Sequence, residues 1–175
     1  MEGNNYMEGK LLRGRAHKFG NDINTDYIIS GQYKFKTLDN KELAKHVFED
    51  IAPEFSKRIT PGDFVAAGEN FGCGSSREQA PLAIKYAGIG AVLAKSFARI
   101  FYRNAINIGL PIIQTNTEGI EEGDELIINL TKGKILVVEK ELELKISPFP
   151  PSILGIIEAG GLVNYFKKYG GWKLT

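Results

Sequence analysis

Glu69-Asn70-Phe71-Gly72-Cys73-Gly74-Ser75-Ser76-Arg77-Glu78-Gln79-Ala80 lies between the apolar run Phe64-Val65-Ala66-Ala67 and an alanine-rich segment, and it reads as strand, glycine loop, helix. Gly72 and Gly74 permit backbone geometries that strain other residues, and they let a ligand approach the main chain. Ser75 and Ser76 stand where a helix starts. Ser76 with Gln79 fits a capping box, and so does Ser75 with Glu78, which leaves the first helical residue open between them. Pro81 is comfortable only within the first turn of that helix. A helix start carries roughly half a positive charge, and Arg77 beside it suits the loop to an anion such as a carboxylate or phosphate. The stretch has neither the lysine of a phosphate-binding P-loop nor the spacing of a Gly-x-Ser-x-Gly nucleophile elbow, so it argues for neither an NTPase nor a hydrolase. On the residues alone, a plain glycine turn with a serine cap is an equal reading.

Downstream, a helix from about Arg77 to Ala87 gives way at Gly88-Ile89-Gly90 to a buried strand, Ala91 to Ala94. Ser96 opens a second helix with Phe97, Ile100, Phe101 and Ala105 on one face; Arg99 and Arg103 fall on its exposed side, where partner contact is one reading and solvated charge the favoured one. Leu110 to Gln114 is a further strand. Strand, helix, strand, helix, strand implies a parallel sheet with right-handed crossovers, and ligands of such sheets sit beyond the carboxyl ends of the strands. Upstream, Gly9 to Lys18 forms an opening strand and Gly20 to Asp26 a polar turn, in which Asp22 reads as structural. Asp39-x-x-Glu42 is a capping box for a helix to about Asp50, with Leu43, Val47 and Phe48 on its buried face. Beyond Glu121 the pattern changes to antiparallel strands: Glu125 to Leu130, Lys134 to Val138 and Leu142 to Ile146. Pro150 or Pro151 then opens a helix through Ile157 that Gly160-Gly161 closes, and Leu162 to Tyr169 makes the last helix.

The 175 residues, 43% of them hydrophobic, suit one folded domain over 1–175, with Met1 to Glu8 as a flexible lead. A net charge of +1 with mixed signs is not a nucleic-acid footprint. No apolar run approaches the roughly 20 residues that span a membrane. The polar start, Met1 to Lys10, lacks the features of a signal peptide, so the expected location is cytoplasmic. A single cysteine, Cys73, excludes an internal disulfide, cannot by itself hold an iron–sulfur cluster, and has no paired histidine to make it a nucleophile. His17 and His46 are too far apart in sequence to suggest a metal site, so no metal ligand is expected on this chain.

Gly68-Glu69-Asn70-Phe71-Gly72-Cys73-Gly74-Ser75-Ser76-Arg77-Glu78-Gln79-Ala80, the later Ala94-Lys95-Ser96-Phe97-Ala98-Arg99-Ile100, and Asp22-Ile23-Asn24-Thr25-Asp26 together resemble the swivel domain of the aconitase superfamily. Matching segments run from about Gly14 to Pro111. A chain this short looks like the free-standing small subunits of isopropylmalate-type dehydratases. The resemblance implies an α/β fold, a swivelling β/β/α domain with a parallel βαβαβ core plus antiparallel strands. It also implies a hydro-lyase that interconverts 2- and 3-isopropylmalate by dehydration and rehydration, as in leucine biosynthesis. Ser75 matches the catalytic serine, Asp26 an active-site carboxylate, and Gly74, Ser76 and Arg77 the residues that hold a substrate carboxylate. The loop after Tyr33, here Lys34-Phe35-Lys36, matches the segment that selects the variable group of a small hydroxy di- or tricarboxylate. Phe35 stands where homoaconitase-like subunits have arginine, which favours an alkyl group, while the flanking lysines suit a carboxylate. The resemblance places a [4Fe-4S] cluster on a large partner subunit, in a heterodimer or heterotetramer, with the active site formed between the two. Homoaconitase, a dehydratase of citramalate or dimethylmalate, and a non-catalytic carboxylate-binding regulatory module stand as alternatives.

Overall fold

The computed structural model describes residues 10–33 and 39–171; the Met1 to Glu8 lead and the Lys34-Phe35-Lys36 segment lie outside them. Seven strands form one mixed sheet: β1 Leu11–Lys18, β2 Phe64–Ala67, β3 Ala91–Ala94, β4 Ile112–Gln114, β5 Glu125–Asn129, β6 Lys134–Val137 and β7 Leu142–Lys145. Their order is β4-β3-β2-β1-β5-β6-β7. β1 joins two regimes. It runs parallel to β2, pairing Ala16 with Phe64, and antiparallel to β5, pairing Leu11 with Asn129. From β1 to β4 all neighbours are parallel, and from β1 to β7 all are antiparallel.

β2 and β3 are buried at every position, as continuous apolar runs must be when both faces of a parallel sheet are covered. Their side chains divide between two cores by strand alternation. Val65, Ala67, Val92 and Ala94 join Phe71, Ile84 and Phe101 on the helical side. Phe64, Ala66, Ala91 and Leu93 meet Leu126, Ile128, Ile135 and Val137 on the other, where β5 and β6 cover the parallel strands.

The helices are α1 Thr25–Ile28, α2 Asn40–Lys45, α3 Phe55–Arg58, α4 Gln79–Tyr86, α5 Arg99–Asn107, α6 Pro151–Glu158 and α7 Leu162–Tyr169. Asp39 caps α2 by accepting from the Glu42 N–H at 2.8 Å, as the sequence indicates. That helix stops at Lys45 instead of Asp50 because Phe48, at φ 56°, turns its N–H away to the Ile28 carbonyl at 2.9 Å. Pro151 opens α6, and Gly170, at φ 69°, ends α7.

Two helix starts differ from the sequence reading, and both matter to the site. α4 begins at Gln79 with Glu78 as its N-cap, so neither serine capping box forms. A start at Ser75 or Ser76 would carry Pro81 past the first turn, where it cannot supply the ladder N–H; starting at Gln79 makes it the third helical residue. α5 begins at Arg99, not Ser96, because Ser96 is held in loop pairing. Its Oγ accepts from the Asn70 N–H at 2.8 Å and its carbonyl from the Phe71 N–H at 3.0 Å. Rotating the start leaves Ile100 54% exposed and puts Ile106 on the buried face beside Phe101 and Ala105.

Candidate active site

Three connections leave the carboxyl ends of β1, β2 and β3 and are laced together by their main chains. Gly68 donates to the Gly20 carbonyl, Asp22 to that of Glu69 at 2.8 Å, Gly72 to that of Ile23 at 2.7 Å, and Thr25 to that of Cys73 at 2.9 Å. On the other side Phe71 and Ser96–Ala98 pair in the same way, Ala98 donating to the Phe71 carbonyl at 2.9 Å. The parallel sheet therefore extends beyond its strands as a platform. Asp22 adopts φ 54° and accepts from Asn70 Nδ2 at 2.8 Å, the structural role expected of it.

Gly72 is where the platform most needs a glycine. Its φ is +78°, and a Cβ there would enter the ring of Phe101. That ring stacks edge-on to Phe71 at 5.2 Å and anchors the first turn of α5 against the loop. Gly74, at φ +90°, continues the turn and brings Ser75 to the surface over Thr25. Thr25 is buried, and its Oγ1 donates to the Ser75 carbonyl at 2.8 Å. Sequence reading includes Thr25 in a motif but gives it no role, since nothing local shows a hydroxyl reaching a carbonyl so distant in the chain.

The structure brings Asp26 and Arg77 together. Arg77 Nη2 lies 2.5 Å from Asp26 Oδ1, and Nη1 donates to the Ile29 carbonyl at 3.1 Å. The arginine side chain is 11% exposed, with its Nε–H buried and unpartnered among the described residues, whereas Asp26 is half exposed. This is a fixed cation with a donor to spare, held by α1 at the edge of the loop. α1 itself, capped by Asn24 accepting from the Tyr27 N–H at 3.0 Å, is a helix where the sequence suggests only a turn.

A cleft of about 340 Å³ opens over Ser75, Ser76 and Arg77, floored by Thr25 and Gly72 and walled by the first turn of α5. Ser75 and Ser76 are exposed to it. Neither histidine lines it: His17 is bound to Asp63 at 2.8 Å and His46 to Glu49 at 2.9 Å. No Ser–His dyad exists there to make an acyl-transfer nucleophile. Burial, and after it the charge of Asp22, pushes the Cys73 thiol up, which disfavours a thiolate. Among the described residues no three His, Cys, Asp or Glu side chains gather as a metal site. With one thiol, the chain does not fit an iron–sulfur cluster.

Beside the cleft, Gly31–Tyr33 forms a 3-10 turn at the root of the 34–38 segment. The Tyr33 ring stacks on His46 with centroids 4.0 Å apart, and its hydroxyl donates to Glu49 at 2.8 Å. These contacts anchor the near end of the segment that the family resemblance assigns to substrate choice.

Residues 12–118 match the Aconitase C-terminal domain family. The sequence is 55% identical over 161 residues to the 3-isopropylmalate dehydratase small subunit 2 of Archaeoglobus fulgidus, covering 92% of this chain and 98% of that one. It is 51% identical over 162 residues to the methanogen homoaconitase small subunit of Methanothermobacter thermautotrophicus, covering 93% and 94% respectively. A crystal structure of 3-isopropylmalate dehydratase from Methanocaldococcus jannaschii is similar with a TM-score of 0.87 at 53% identity, over 92% of this chain and 96% of that chain.

Proposed function

The chain belongs to the family of the aconitase C-terminal domain, and from that premise we propose that it is the small subunit of a hydro-lyase of the 3-isopropylmalate dehydratase type, its whole length serving as one swivel domain. The reaction removes water from a hydroxy acid and returns it at the neighbouring carbon. Two chains 51–55% identical in sequence carry small-subunit names, and one solved structure of that enzyme shares the fold. The observation that carries the reading is the meeting of Asp26 and Arg77, 2.5 Å apart, at the edge of the cleft onto which Ser75 and Ser76 open.

The proton to be removed lies next to a carboxylate and is only weakly acidic, so the site must hold that carboxylate and stabilise the charge that develops. Arg77 holds the carboxylate through the donors left over from Asp26 and Ile29, with Ser76 and the Gly74 main chain beside it. Ser75 takes the proton in one direction and returns it in the other. Its anionic form is favoured by Arg77 and by the N-terminus of α5 across the cleft. The potential comes from these two sources and not from a serine-capped helix, since α4 starts further on. Asp26 keeps Arg77 aimed. We assign the [4Fe-4S] cluster that this chemistry requires to the large subunit, since the single Cys73 of this chain cannot hold it. The site is completed only in the assembled enzyme.

The test is anaerobic reconstitution with an iron–sulfur large subunit, following alkene absorbance with isopropylmalate, homocitrate and dimethylmalate. Activity is expected only in the mixture, with isopropylmalate preferred. Ser75→Ala should lower kcat roughly 10²- to 10⁴-fold without loosening the complex. Activity that survives Ser75→Ala would move the reading to a non-catalytic carboxylate-binding module. Homocitrate as the preferred acid would place the chain with the homoaconitase subunits it also resembles.

A further inference from the structure

We propose that Arg99 is a second carboxylate-binding residue of the cleft, taking the substrate carboxylate that Arg77 does not. The inference rests on the reading above, in which the substrate carries at least two carboxylates.

Arg77 is the fixed cation of the cleft, but Asp26 at 2.5 Å already offsets part of its charge. Among the described residues that line the cleft, a dianion would therefore meet one cation not already paired, Arg99, which faces the same space from the α5 side. No carboxylate lines the cleft among the described residues. The neighbouring lysines are engaged elsewhere: Lys95 lies 2.5 Å from Glu118, and Lys85 donates to the Gly160 carbonyl at 3.0 Å. Arg103, one turn further along α5 and exposed, lines an adjoining depression and not this cleft. The Arg99 side chain has no hydrogen bond or ion pair with any described residue.

Arg99 also sits at a helix start. It is the first residue of α5, where the helix dipole opposes a cation, and that turn contains no acidic side chain to offset it. The N-cap is Ala98, which gives no side-chain cap. The first N–H to enter the ladder is that of Tyr102, bonded to the Ala98 carbonyl at 3.0 Å, so those of Arg99, Ile100 and Phe101 are left over. An uncapped, cation-bearing helix start breaks a local rule, and such breaks concentrate where a ligand supplies the compensation. A carboxylate bound here would accept from the guanidinium and from the helix start together. The dipole that penalises Arg99 in the free chain would then favour the anion it binds. With Arg77 on one wall and Arg99 on the other, the two carboxylates would span the cleft and present the carbon between them to Ser75.

The experiment uses the assembled enzyme at saturating large subunit, comparing wild type with Arg99→Gln. The probes are the preferred dicarboxylic acid and its half-amide, in which the distal carboxylate is neutral. The variant should raise KM for the diacid roughly 10- to 100-fold, the size expected for a lost hydrogen bond to a charged group. It should change kcat less, and it should discriminate less between diacid and half-amide than wild type does. Unchanged KM and unchanged discrimination would overturn the assignment. So would a variant whose only defect is weaker capture of the large subunit, which would make Arg99 an interface residue. A wild-type complex inactive on every hydroxy diacid would instead count against the proposed function, so the two failures are distinguishable.

Discussion

In the parallel half of the sheet β2 and β3 have no exposed position, while at the antiparallel edge β7 alternates half-buried and exposed residues from Leu142 to Lys145. The two halves share a hydrogen-bonded sheet through β1, yet every described candidate site residue belongs to the parallel half. A sheet covered on both faces holds its strand ends in place, so loops leaving those ends can be ordered by main-chain bonds alone. The lacing from Gly20 to Thr25 and from Phe71 to Ala98 is that ordering. The antiparallel half supplies the second core and none of the described candidate site residues. The division makes unequal demands on mutation.

The largest difference should appear between Phe71→Ala and Leu144→Ala. Phe71 is fully buried and packs against Phe48, Phe97 and Phe101 at the base of the platform. Its truncation should cost about 3–5 kcal/mol, read from the urea midpoint. Leu144 is a half-buried residue of β7 that packs at the margin of the second core, and its truncation should cost about 1 kcal/mol. Equal losses would mean that the two halves are equally packed.

Thr25→Val tests whether the platform positions Ser75 or merely supports it. Removing one buried hydroxyl bonded at 2.8 Å should cost about 1 kcal/mol of stability. In the assembled enzyme kcat should fall about tenfold or more with KM less affected, because a shift of the serine matters most in the transition state. Thr25→Ser, which keeps the donor, should recover most of kcat. A variant with the stability loss but wild-type kcat would make the bond purely structural.

The parallel half was legible in the sequence where its signals were local. The runs Phe64 to Ala67 and Ala91 to Ala94 read as strands, which they are, and Asp39 announced its helix by its own cap. The motif residues Asp26, Ser75, Ser76 and Arg77 could be named in advance. What was hidden depends on bonds between distant segments. Ser96 has the look of an N-cap but is claimed by Asn70 and Phe71; Phe48 leaves its helix for Ile28. Arg99 is exposed, as its reading as solvated charge expects; that it also lines the cleft is what a single helix face does not show. The antiparallel half held fewer surprises: alternation in β5, with Leu126 and Ile128 buried, matches its pattern within one residue.

Within the parallel half, the two ends of the strands should also separate. Asp63 stands just before β2, away from the cleft, and accepts from Arg15 N–H at 3.1 Å, Thr60 N–H at 2.9 Å and His17 at 2.8 Å. Burial pushes its carboxyl up, but the bonds from Thr60, His17 and Arg15 outweigh that and hold it below the usual carboxylate range. A carboxyl depressed in the folded state adds stability above its unfolded value, near 4, and loses it as the pH falls through the folded value. The urea midpoint of wild type should therefore drop below about pH 4. Asp63→Asn should be less stable than wild type at pH 6, should lack that part of the acid slope, and should leave kcat unchanged in the assembled enzyme. An altered kcat would mean that the amino ends of the strands also serve the site.

The smallest effect is expected at the sheet edge. Lys134 of β6 and Glu143 of β7 form an ion pair at 3.0 Å with both side chains about half exposed, 53% and 50%. Water screens such a pair, and holding two long side chains in one geometry costs rotamer freedom, so its net contribution is about 0–1 kcal/mol. Glu143→Gln should shift the urea midpoint by no more than that, and 1 M salt should erase the difference by shortening the screening length to about 3 Å. The charges have another use at this position. Among the described residues β7 is paired on one side only, and charged side chains along an edge discourage further strands from adding to it. If Glu143→Gln leaves stability unchanged but lowers the concentration at which the chain aggregates, the edge pair protects the fold from association instead of stabilising it. A loss well above 1 kcal/mol that persists in salt would show that the antiparallel half is held by more than its apolar face, and the contrast between the halves would narrow.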